Sequence, residues 1–119
     1  MDRIEKDEAY LKHILEAIGS IEKYTANFSK EDFIKSENKL TQDAVVREFE
    51  IIGEATGRLS DEIKKQEPNL PWKEISSMRN KLIHEYFGVD LAVVWKTVQA
   101  DLPLLKVSIN KIVSSMPEI

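Results

Sequence analysis

Apolar residues return at three- and four-residue steps along almost the whole of this sequence, and no stretch alternates convincingly at period two. That pattern confines the chain to helices, because a half-buried strand needs every second residue apolar. Leu11, Ile14, Leu15, Ile18 and Ile21 form one such line, with Lys12, Glu16 and Glu22 on the wet side. The spacing predicts a first helix over residues 3 to 25, ending before Asn27. Ser29-Lys30-Glu31-Asp32 resembles a capping box and starts a short helical piece through Phe33 and Ile34.

A second long helix is expected from Thr41 to about Lys65. Its inward stripe is Ala44, Val45, Glu48, Phe49, Ile52, Ala55 and Leu59, with Glu48 the polar exception. Gly53 and Gly57 lie four apart on it and allow another helix backbone to come close. Pro68-Asn69-Leu70-Pro71 is the clearest interruption. Pro71 suits a first helical turn, and Trp72, Ile75, Met78 and Leu82 give a third helix its apolar line. Gly88 ends it. Asp90 is a suitable N-cap for a last helix whose buried side runs Leu91, Val94, Trp95, Val98, Leu102, Leu105, Ile109 and Ile112. Pro103 should kink or divide that helix near Asp101. The expected fold is all-α: an antiparallel bundle of four main helices with a short additional helix, in one domain over 1–119.

Composition removes several function classes. The chain has no cysteine, so disulfides, a thiolate nucleophile and cysteine-held metal clusters are excluded. Seventeen basic against 21 acidic residues leave a net charge of -4, which argues against indiscriminate binding to long duplex DNA. No run approaches the roughly 18 apolar residues of a membrane helix. Residues 1–8 are too charged for a secretory signal, so a cytoplasmic protein is expected.

Titratable and hydrogen-bonding groups gather in one segment, Arg79-Asn80-Lys81-Leu82-Ile83-His84-Glu85-Tyr86. Arginine holds a phosphate in a fixed fork of donors, and histidine exchanges a proton near neutral pH. Arg79 would stabilise charge at a phosphorus becoming five-coordinate, and His84 would move protons at a ribose 2′-hydroxyl or at a leaving 5′ oxygen. Asn80 would position His84 or donate to substrate. Tyr86 would stack on a base or donate to a phosphate. Lys73 and Lys81 would add electrostatic support. No metal or cofactor is needed for such chemistry.

Each of these residues also has a plainer reading. Arg79 can pair with Glu74 or Glu85, and His84 can close a helix C-terminus. Asn80 can face solvent, Tyr86 can pack beside Phe87, and the two lysines can serve solubility. His13 has no comparable groups around it. Glu50 and Glu54 share a helix side but lack the facing histidines of a bundle metal site. Trp72 and Trp95 fall on core stripes and read as packing residues. Geometry adds a constraint: on one ideal helix Arg79 and His84 stand about 140° apart. They converge only if the last turn loosens before Gly88, or if two copies meet across a two-fold axis.

Arg79-Asn80, three intervening residues and His84-Glu85-Tyr86 resemble the Arg-x4-His-x-Tyr motif of HepT-like toxins, within the HEPN superfamily of helical ribonucleases. Phe49-Glu50-Ile51-Ile52-Gly53-Glu54-Ala55 resembles the family's second-helix segment, and Pro71-Trp72-Lys73-Glu74-Ile75 leads into the motif as family members do. The resemblance implies a homodimer whose two motif regions line a shared cleft. It implies a metal-independent endoribonuclease, with Arg79 and His84 the catalytic pair and Asn80 and Tyr86 positioning substrate. It further implies a MntA-like minimal nucleotidyltransferase antitoxin that transfers AMP to Tyr86. The other reading is a non-catalytic subunit that binds such a nucleotidyltransferase or its nucleotide.

Overall fold

Residues 2–78 and 90–117 are described by the computed structural model of this chain. Helix α1, Arg3–Thr25, starts where the Asp2 carboxylate accepts from the Glu5 N–H at 2.9 Å. It buries Leu11, Ile14, Ala17, Ile18 and Ile21, the face its periodicity predicts. Near its end the Thr25 hydroxyl donates to the Ile21 carbonyl.

The turn that follows is built on side-chain-to-backbone bonds. Ser29 caps the short helix α2, Lys30–Phe33, by accepting from the Asp32 N–H. Phe33 goes into the core, and a 3₁₀ turn over Ser36–Asn38 leads to α3, Lys39–Arg58. Buried Gln42 on α3 donates to the Phe33 and Lys35 carbonyls, both at 2.7 Å, and Asn38 donates to the Asp32 carbonyl. These bonds satisfy the carbonyls that a four-residue helix leaves open.

Helix α3 buries Val45, Phe49, Ile52, Ala55 and Leu59, while Ala44 and Glu48 are only half-buried. It does not run on to Lys65. Leu59 is extended, and Ser60 caps a separate helix α4, Asp61–Lys64. The cause is a tertiary bond. Asp7, 1% exposed on α1, accepts from the Ser60 N–H at 2.9 Å and from its hydroxyl at 2.6 Å. An N–H committed to Asp7 is lost to the helical ladder. Arg3 completes the cluster at 3.1 Å from the same carboxylate.

These contacts also fix direction. The start of α1 meets the end of α3, so the two run antiparallel. Helix α5 occupies Trp72–Ser76, and α6, Leu91–Lys96, passes through a π-helical turn at Thr97–Asp101 into α7, Leu102–Ser115. Lys106 on α7 pairs with Glu22 near the end of α1 at 3.0 Å, and Ser115 reaches Gln66 beyond α4. Helix α7 is therefore antiparallel to α1 as well. The division expected at Pro103 occurs as that π turn: its wider ladder accommodates a proline at the start of α7 that lacks an N–H.

Val98, Leu102, Leu105, Ile109 and Ile112 close the core against α1 and α3. Burying side chains of this size stabilises the fold by about 1.5–3 kcal/mol each. The result is all-α, but not the simple bundle of four main helices and one short helix. The second helix is broken at Leu59, the last carries a π turn, and the third is described only as far as Met78. No helix among the described residues is long and apolar enough to cross a membrane.

Candidate catalytic cleft

The third helix enters its site from a fixed point. The Trp72 indole N–H donates to the carbonyls of Lys64 and Glu67, at 3.1 and 2.9 Å, which pins the start of α5 to the end of α4. Helix α5 then passes close to α3, where a Cβ on Gly57 would stand 3.5 Å from that of Ser76. Ser76 and Ser77 hydroxyls donate to the Lys73 and Glu74 carbonyls and tighten the last turn. Ile75 and Met78 pack on the core.

Helix α6 has its own local start. The Asp90 carboxylate accepts from the Ala92 and Val93 N–H groups, at 3.0 and 3.3 Å, and so starts α6. Met78, next to the start of the 79–89 segment, and Val93, just past its end, line one cleft of about 430 Å³. Phe49 and Ile52 form its floor, Leu70, Ile75 and Met78 one wall, and Leu102, Leu104 and Leu105 another. Glu74 and Asp101 are its charged residues among those described. Among the described residues this lining carries no basic side chain.

Arg79, Asn80, Lys81, His84 and Tyr86 all lie outside the described residues. Lys73 is exposed on α5. His13 is exposed on α1, edge-on to Tyr10 with ring centroids 6.3 Å apart. Trp72 is held by its two carbonyl partners, and Trp95 packs on Phe33 at 5.4 Å, as residues of the core stripes should. Glu54 is paired with Arg58 at 3.3 Å, and Arg58 is held above its ordinary pKa mainly by a hydrogen bond with Tyr10. No group of three metal-ligating side chains occurs among the described residues. Asp7 and Gln42, which shape the scaffold, were not legible from spacing; the only hint of the break was the N-cap composition of Ser60-Asp61-Glu62.

The family model described as "Ribonuclease HepT-like" matches residues 14–112, a span that contains the whole motif segment. The "Probable ribonuclease HepT" of Thermococcus cleftensis is 48% identical over 94% of this chain and 98% of its own length. A Methanocaldococcus jannaschii protein, whose name joins gamma-glutamylcyclotransferase to a provisionally assigned RNase, is 48% identical over 90% of this chain and 47% of its own. Another protein of that organism, also provisionally named an RNase, is 41% identical over 92% of this chain and 88% of its own length. No solved structure matches the chain.

Proposed function

Because this chain belongs to the HepT-like ribonuclease family, with its all-α HEPN-like fold, we propose that it is the metal-independent endoribonuclease of a toxin–antitoxin pair, working through Arg79 and His84. The observation that carries the reading is the coincidence of two things. The family match spans 14–112, and the Arg-x4-His-x-Tyr segment inside it joins two anchored ends on one cleft.

In this mechanism His84 takes the proton of a ribose 2′-hydroxyl. The freed oxygen attacks the neighbouring phosphorus, and the O2′–P bond forms as the P–O5′ bond breaks. A second imidazole, His84 of another copy, gives its proton to the departing 5′ oxygen. Products are a 2′,3′-cyclic phosphate and a 5′-hydroxyl. The Arg79 guanidinium forks onto the non-bridging oxygens, where charge builds in the transition state. Asn80 orients His84, Tyr86 supports the nucleotide, and Lys73 and Lys81 raise the local positive potential.

Two copies answer the 140° problem, since one chain's Arg79 then meets the other's His84. The homodimer is supported by apolar side chains left in solvent at the cleft and beside it: Val93 (48% exposed), Leu104 (66%) and Val107 (67%). Regulation follows the same chemistry. A MntA-like antitoxin that places AMP on Tyr86 adds negative charge and bulk beside Arg79, which excludes an RNA phosphate.

The test incubates unmodified protein, its mass checked for AMP, with defined RNAs in chelator. Cuts that end in a cyclic phosphate, lost in Arg79→Ala and His84→Ala without loss of fold, are expected. Strict metal dependence, or no cleavage by protein that still binds the nucleotidyltransferase, would overturn the reading.

A further inference from the structure

A second, shallower groove lies beside α6, on the stretch of chain that follows the motif. It encloses about 460 Å³ and is lined by Lys30, Ala92, Val93, Trp95, Lys96, Gln99 and Ala100. Its chemistry differs from that of the main cleft. No carboxylate lines it among the described residues, although the chain as a whole carries a net charge of -4. Lys30 on α2 and Lys96 on α6 are exposed, and neither has an ion-pair partner among the described residues. By contrast, nearby Lys35 is engaged by Asp32 at 3.2 Å. The same groove is lined by the half-buried Trp95 ring, steadied by Phe33 at 5.4 Å, and by Gln99.

We infer that this groove is a strand-binding subsite for single-stranded RNA, with Lys30 and Lys96 on the phosphates, Trp95 against a base and Gln99 on sugar or base edges. Unpaired cations flanking a fixed aromatic surface are what a single strand selects: phosphates give the attraction, and stacking is tolerant of sequence. A duplex hides its base faces and cannot use Trp95. Position agrees. Tyr86 is four residue steps from Asp90, at most about 14 Å of chain, and six helical steps carry it about 9 Å further to Lys96. A strand whose nucleotide Tyr86 supports therefore reaches the groove within a few nucleotides. The inference rests on the ribonuclease reading for its choice of RNA, and it gives that enzyme a contact outside its reacting atoms.

The experiment measures anisotropy of a fluorescein-labelled 12-nucleotide oligouridylate in chelator, on His84→Ala protein with and without Lys30→Gln and Lys96→Gln. Circular dichroism checks the fold and sedimentation the assembly. The doubly substituted protein is expected to bind about tenfold more weakly, and its salt slope should fall by about 1.4, the loss of two single-strand phosphate contacts. Quenching of tryptophan fluorescence on binding is expected with the lysines present. Equal affinity and slope in both proteins would overturn the subsite. So would a changed assembly state without RNA, which would make the groove a protein interface. The parent chain's cleavage is read separately. If it makes no cuts while the lysine substitutions still weaken binding, the nuclease reading falls and the groove stands.

Discussion

Asp7 is a buried acid with every bond spoken for, and its removal shows what a single side chain contributes. Asp7→Ala strips the acceptor from the Ser60 N–H, the Ser60 hydroxyl and Arg3 together. The expected loss is about 2–4 kcal/mol, read as a lower urea midpoint. Arg3→Ala should cost under about 1 kcal/mol, because that side chain is 47% exposed and its pairing is screened by solvent. Equal effects from the two substitutions would mean that the ion pair, rather than the capture of Ser60, is what matters. At this level the catalytic candidates were legible as types: only two histidines exist, and only His84 has an arginine, an asparagine and a tyrosine near it in sequence. Asp7 was not legible. Among the many acids of an acidic chain, nothing in its neighbours marks the one that a distant serine will seek out.

Helices α1 and α3 show why some boundaries can be read and others cannot. Asp2 and Ser29 announce their helices because a cap is a local bond. The end of α3 stayed hidden because Leu59 and Ile63 keep helical spacing and are both buried, although the backbone between them leaves the helix. The apolar pattern reports burial, not backbone. The turn around α2 makes a prediction in pH. Asp32 is held below the ordinary carboxylate range by a hydrogen bond from Lys35, then one from Ser29, then the charge on Lys35. A depressed acid stabilises the fold above its unfolded pKa, and that contribution goes as pH falls through the lower folded value. Protection of the Phe33 and Ile34 amides, measured against their intrinsic exchange at each pH, should therefore fall as Asp32 protonates in the parent chain, whereas Asp32→Asn should flatten that dependence. A dependence that survives Asp32→Asn would assign the effect to another group.

Taken as one body, the protein leaves a strip of α6 and α7 uncovered that its core does not need. Leu104→Glu with Val107→Glu places charge there without touching a buried residue, since both side chains are about two-thirds exposed. If a second copy covers the strip, sedimentation should show the dimer giving way to monomer, and cleavage should fall by at least tenfold because each site then lacks its partner's imidazole. A monomeric protein that still cuts RNA at full rate would remove shared sites from the mechanism. The angle between Arg79 and His84 on one ideal helix offered two arrangements, a loosened last turn or a second copy, and this substitution tests the second. The cleft itself was not legible in the sequence, because it forms where α3, α5 and the start of α6 converge from distant parts of the chain.

Two fixed posts flank residues 79–89 in sequence. One is the indole of Trp72, hooked onto the carbonyls of Lys64 and Glu67, and the other is Asp90, clasping the first amides of α6. Together they hold α5 and the start of α6, the elements on either side of that segment in sequence. Substitution of Trp72 or Asp90 is thus expected to change RNA cleavage with Arg79 and His84 left as they are.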